Sequence, residues 1–134
     1  MIYRRCIQVE FNHCDPAGIV FYPRYFEMTN SVVENFFAEV AGYSFAQMMR
    51  DHHGVPTARI EANFRAPSRL GDKMDWTLRV TRLGGSSIAL HLSVGEGPRM
   101  TADLTLVWVD TQGRPAPWPQ QIRDRISAFM EADA

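Results

Sequence analysis

Two apolar columns run down one predicted helix between residues 23 and 41. Tyr25, Met28, Val32, Phe36 and Val40 recur at helical spacing, with Phe26, Val33, Phe37 and Ala41 beside them, while Glu27, Ser31, Glu34 and Ala38 leave only a narrow opposite stripe. An apolar face this wide predicts a helix enclosed on most sides by other parts of the chain. Its ends are marked: Pro23 suits the first helical position, where a missing N–H costs nothing, and Gly42 follows the last turn.

What encloses it has to come from strands, because no second long helical pattern begins before residue 119. Five segments alternate at period two. The first places Tyr3, Ile7, Val9 and Phe11 on one face, interrupted by Arg5. The second sets Ala58, Ile60, Ala62, Phe64 and Ala66 against Thr57, Arg59, Glu61, Asn63 and Arg65. Met74, Trp76, Leu78 and Val80 mark the third; Ile88, Leu90, Leu92 and Val94 the fourth; Met100, Ala102, Leu104, Leu106 and Trp108 the fifth. Turns at Gly84-Gly85 and Gly95-Glu96-Gly97-Pro98 join the last three into an antiparallel meander. The expected fold is α+β, one curled antiparallel sheet of about five strands wrapped around a long central helix. Phe45 to His52 reads as a short helical connection and Pro119 to Met130 as a second amphipathic helix. At 134 residues and 46% hydrophobic, the chain supports one core and one domain over 1–134.

Several function classes are disfavoured. A formal charge of −1 with interspersed acids and bases supplies no patch for nucleic acid or a membrane surface. The alternating N-terminus and the lack of any apolar run near ~20 residues read as a cytoplasmic protein. Cys6 and Cys14 lack metal or redox spacing and are expected to be buried or half-buried thiols, and the four histidines show no ligand spacing, so neither a disulfide nor a metal site is expected.

Chemistry concentrates in the run from Phe11 to Pro23. Asp15-Pro16-Ala17-Gly18 is by itself a turn signal: proline fixes one dihedral, glycine accepts positive φ, and aspartate bonds nearby amides. The turn leads through Ile19-Val20-Phe21 to a helix start at Tyr22 that has no acidic or hydroxyl cap. Uncapped amides form a positive pole of roughly half a charge, suited to a substrate oxygen. A carboxylate and an oxyanion-binding helix end thus lie within a few residues of each other.

The twelve-residue run Cys14-Asp15-Pro16-Ala17-Gly18-Ile19-Val20-Phe21-Tyr22-Pro23-Arg24-Tyr25 resembles the signature of the 4-hydroxybenzoyl-CoA thioesterase family, a branch of the hotdog-fold superfamily. The element order is similar over almost the whole chain. The resemblance implies that Asp15 is the catalytic carboxylate and that the Tyr22 backbone amide polarises the thioester carbonyl. It also implies an active site between the subunits of a homodimer, often paired into a homotetramer, with coenzyme A entering as part of the substrate and no separate cofactor. One carboxylate and one oxyanion donor suit a thioester, because a thiol of pKa about 8.5 departs with little acid assistance.

Other candidates are weaker. His13 invites an acid/base role yet is equally a polar residue entering a turn; Gly18 sits within the same turn. Asn30, fifteen residues after Asp15, occupies the place where the 4-hydroxybenzoyl-specific members carry an aspartate for the substrate phenol, so it is either an acyl contact or a helix residue satisfied internally. For the coenzyme A phosphates, Arg82 to Ser87 span the turn where the family often places basic residues before a serine matching Ser87; the Gly84-Gly85 amides are a second candidate for holding phosphate, and Arg65 or Arg69 are further cations. His52, His53 and His91 read as structural or solvated. Two rival functions stay open: an acyl-thioester hydratase or dehydratase using His13, and a non-catalytic acyl-CoA-binding module.

Overall fold

The computed structural model describes residues 1–132. In chain order it contains β1 (Tyr3–Gln8), a 3₁₀ turn (Phe11–His13), α1 (Tyr22–Phe36) running into a π-helical turn (Phe37–Ala41), α2 (Phe45–Arg50), β2 (Thr57–Phe64), β3 (Lys73–Leu83), β4 (Ser87–Val94), β5 (Met100–Val107) and α3 (Gln120–Glu131). The five strands form one antiparallel sheet in the order β1-β3-β4-β5-β2. β3, β4 and β5 are neighbours, as the meander requires, and the long connection through β2 places that strand at the far edge beside β5.

The sheet curls around α1. Met74, Trp76 and Leu78 from β3, Ile88, Leu90 and Leu92 from β4, and Met100, Ala102 and Leu106 from β5 are all buried. Against them α1 buries Tyr25, Met28, Val32, Val33 and Phe36, which accounts for the width of its apolar face. At about 1.5–3 kcal/mol per fully buried large side chain, this face outweighs a helix start with no side-chain cap. α3 closes the far end: Phe129 meets Phe36 edge-on at 5.4 Å, and the Arg125 guanidinium donates to the Val40 carbonyl at 2.9 Å. That guanidinium lies where a side chain at residue 42 would project, so Gly42, at φ +76°, is required both by the left-handed turn and by this close approach.

Four details differ from the sequence-based expectation. Phe11 leaves the strand face, lies in the 3₁₀ turn and is 84% exposed, because β1 ends at Gln8. Cys6 is exposed rather than buried, since it alternates onto the outer face of β1. Phe26 is only half-covered. Most notably, β2 alternates in sequence but buries neither face, with Ile60 41% and Phe64 46% exposed. It lies at the sheet edge, where α1 and α2 leave a gap instead of a packed layer. Among the described residues no helix is long and apolar enough to cross a membrane.

Candidate active site

The segment between β1 and α1 folds back on itself as a short ladder. Phe21 N–H donates to His13 O (2.9 Å), Cys14 bridges Val20, and Asp15 N–H donates to Ile19 O (3.0 Å). At its tip Gly18 N–H donates to Asp15 O (3.0 Å) with Gly18 at φ +79°, the conformation glycine supplies. The ladder is anchored from outside by Val20 N–H to Ser68 O (2.9 Å) and Leu70 N–H to Gly18 O (3.1 Å). Asp72 holds that 68–72 loop in turn, accepting from the Arg69 amide (2.8 Å) and from Arg99 (2.9 Å), and these two bonds keep its carboxyl below the usual range.

Asp15 itself is half-buried. Its Oδ1 accepts from the Ala17 amide at 2.8 Å, which fixes the side chain, while Oδ2 has no bonding partner among the described residues. Tyr22 opens α1 after Phe21, whose side chain offers no cap, and the residue is 60% exposed. Its amide makes no hydrogen bond to another described residue. From the 13–21 pair beside Tyr22 to the 15–19 pair is two residues, roughly 7 Å along the ladder. A carbonyl group with one ~3 Å contact at each end spans about that distance.

One helical turn further along α1 opens a cleft of about 600 Å³. Phe26, Val33, Phe45, Met48, Ile60 and Leu104 supply its apolar walls, and Thr29, Asn30, His53 and Thr57 its polar side chains. Tyr22, Tyr25 and Phe26 each pack against Phe64 of β2, at ring separations of 6.4, 5.3 and 6.1 Å, so an aromatic wall runs from the helix start to the cleft.

The candidates do not gather in one place. Asn30 lines the cleft, exposed, with its amide donating to Glu34 at 3.3 Å; the buried, self-satisfied helix polar is instead its neighbour Thr29, whose hydroxyl donates to Tyr25 O at 2.8 Å. His13 lies in a separate depression with Glu10, Glu27 and Ser31. Its Nδ1 accepts from the Glu10 amide at 2.9 Å, so the neutral ring carries its proton on Nε2 and has no lone pair left to act as a base. Arg82 and Ser87 sit at the β3–β4 turn, outside the cleft. There Arg123 donates to Gly84 O (2.9 Å) and Trp118 Nε1 to Ser87 O (3.1 Å), tying the turn to the C-terminal segment. Arg65 is exposed beyond β2, and Arg69 is exposed where its backbone bridges Ile19. His91 pairs with Asp103 across β4–β5 at 2.8 Å. His53, read from the sequence as structural or solvated, is among the residues lining the cleft, and its ring stacks on Trp108 at 4.9 Å. Among the described residues no group of three or more His, Cys, Asp or Glu is arranged to hold a metal ion.

A curled five-stranded antiparallel sheet around a central helix defines the hotdog fold, and solved thioesterases share it. A thioesterase from Thermus thermophilus, complexed with coenzyme A and Zn, is 29% identical, with 95% of this chain and 92% of that one covered and a TM-score of 0.79. A gentisyl-coenzyme A thioesterase is 23% identical (92% and 99% covered, TM-score 0.81). A 1,4-dihydroxy-2-naphthoyl-CoA thioesterase from Synechocystis is 18% identical (100% and 99%, TM-score 0.86). Residues 9–126 match the Thioesterase-like superfamily, and the chain belongs to that family. It is a thioester hydrolase.

Proposed function

We propose that the chain hydrolyses acyl-CoA with an aromatic or other small-to-medium acyl group to the free acid and CoA, in a branch akin to the 4-hydroxybenzoyl-CoA thioesterases. The observation that carries this is the pairing of an Asp15 oxygen left unbonded with an unclaimed helix-start amide at Tyr22, on one short ladder. The Tyr22 N–H holds the thioester oxygen as negative charge develops. Asp15 then serves in one of two ways. As nucleophile on the carbonyl carbon it expels CoA as thiolate and leaves an acyl-Asp15 anhydride, which water hydrolyses to the free acid and the regenerated carboxylate; as base it takes a proton from attacking water as CoA leaves as thiolate. Gly18 keeps the turn, the cleft receives the acyl group past Asn30, and Arg82 and Ser87 contact the phosphates of coenzyme A. The coenzyme A bound to the Thermus relative supports this ligand class. A hydratase reading is disfavoured by the His13 geometry, since its base position is occupied by the Glu10 amide.

The acting unit is a homodimer, or a tetramer made of two such dimers. β2 leaves Ile60 and Phe64 exposed on an edge strand, and Tyr22 and Phe21 lie bare nearby, a surface that a second copy covers at the cleft mouth. The test is thiol release across aroyl-, arylacetyl- and aliphatic acyl-CoAs, with molar mass by light scattering. Turnover that vanishes in Asp15→Asn without loss of fold or oligomer supports the reading; a pure Asp15→Asn sample that hydrolyses at the wild-type rate ends it.

A further inference from the structure

We infer that the two ends of the sheet are treated differently in assembly, and that Arg5 keeps β1 from accepting β2 of another copy. The inference rests on the reading above that a second copy covers β2, and not on the chemistry of Asp15. The sheet is open, and its end strands are β1 and β2. β1 bonds β3 on one side; on the other, a depression of about 460 Å³ separates residues 5–8 from Glu27, Met28 and Ser31 of α1, and among the described residues no strand pairs there. β2 pairs β5 and leaves Ile60 and Phe64 bare. Were β1 to accept β2 of the next copy, each added copy would offer the same two edges again, so that contact propagates instead of closing.

Arg5 is the residue that breaks the apolar alternation of β1. It shares the inner face with Tyr3 and Ile7, opposite the fully buried Trp76, and is itself half-buried. Its Nε is buried with no hydrogen-bond partner, and no described carboxylate forms an ion pair with it. The acids nearby are engaged elsewhere: Glu39 accepts from the Tyr3 hydroxyl at 2.6 Å, Glu27 pairs with Arg24 at 2.6 Å, and the Glu10 carboxylate accepts from the His13 amide. An unpaired cation placed there weakens the fold, because the water it loses is not replaced by a partner. What it opposes is an added strand, which would close the depression and strip the guanidinium of its remaining water. Arg4, exposed on the other face, adds a second cation to the same edge. β2 carries no such obstacle, since Arg59 and Glu61 neutralise each other at 3.1 Å.

The test is molar mass by light scattering over a wide range of concentration, with thermal melting beside it. Wild type and Arg5→Lys, which keeps the charge, are expected to hold one mass. Arg5→Met keeps a long apolar stem and removes the charge, and its mass is expected to climb with concentration to at least about four times that of wild type. At concentrations too low for growth, Arg5→Met is expected to melt about 2–4 °C above wild type, whereas loss of a residue that merely props the fold shifts melting downward. Arg5→Thr, a neutral strand former, repeats the mass measurement should that variant not fold. Adding Ile60→Lys to Arg5→Met charges the β2 edge and is expected to abolish the growth. Constant mass in a folded Arg5→Met or Arg5→Thr, growth in Arg5→Lys, melting of Arg5→Met below wild type, or growth that survives Ile60→Lys overturns the proposal. Growth of Arg5→Met beside a monomeric wild type supports it and removes the dimer reading alone.

Discussion

The Asp15 turn and the apolar cleft are built in opposite ways. The bonds that shape the turn are backbone bonds closing within residues 13–21, with a few more to the 68–70 loop. The cleft draws its walls from α1, α2, the 53–57 connector, β2 and β5, so no short stretch of chain contains it. Their histidines reflect the same contrast. His13 accepts at Nδ1 from an amide three residues away, whereas His53 donates at Nδ1 to a carbonyl fifty-six residues away. A local turn fixes reacting groups by dihedral angle, whereas a cleft fixes the shape and polarity of what it admits by packing. Damage to the first is expected in kcat, and damage to the second in KM and stability.

The strongest break in that division comes from Asp15→Asn, expected to lower kcat by about a thousandfold while leaving ligand affinity in the cleft intact. Steady-state kinetics beside calorimetry separates the two. Next is Trp108→Ala, which removes the ring beneath His53 from a site 2% exposed and is expected to cost about 3–5 kcal/mol in urea unfolding. Gly18→Ala probes the turn alone, since a Cβ at residue 18 meets no atom within 4 Å and the cost is that of φ +79°. A loss of about 1–2 kcal/mol is expected, with kcat falling more than KM rises. Asn30→Ala sharpens the cleft side, with KM expected to rise about threefold and kcat to hold.

The smallest effect is a pH dependence at the loop bracing the turn. The Arg69 amide, and then Arg99, hold the Asp72 carboxyl below its ordinary value in the folded protein. A depressed folded pKa means that its stabilisation is present above the unfolded value, about 3.9, and is lost as pH falls through the folded one. Asp72→Asn is therefore expected to melt about 1–3 °C below wild type at pH 7, and the gap to close under acid. A gap that persists at pH 2 assigns the effect to packing instead.

Strand existence and the buried helix were legible because alternation and helical spacing record which face of an element leaves water. Trp76, Leu90 and Phe36 obey that rule and are fully buried. β2 obeys it in sequence alone: Ile60 and Phe64 are patterned for cover that the rest of the chain does not supply, and periodicity cannot say what lies opposite a face. Phe11 fails for a different reason, since period two continues through it while β1 has ended at Gln8 and the backbone enters a 3₁₀ turn at Phe11 itself.

The sequence by itself determined the Asp15 turn, the open helix start at Tyr22, the identity of the long buried helix and the meander of the last three strands. All are set by dihedral preference, by missing caps, or by hydrophobic spacing along contiguous residues. Tertiary structure alone decided that β2 lies beside β5, that His13 is capped by an amide, and that His53 is carried from an unremarkable connector onto Trp108 to face the cleft. Those outcomes depend on which distant surfaces meet, and the free energy of such contacts resides in packed pairs rather than in either partner's local sequence.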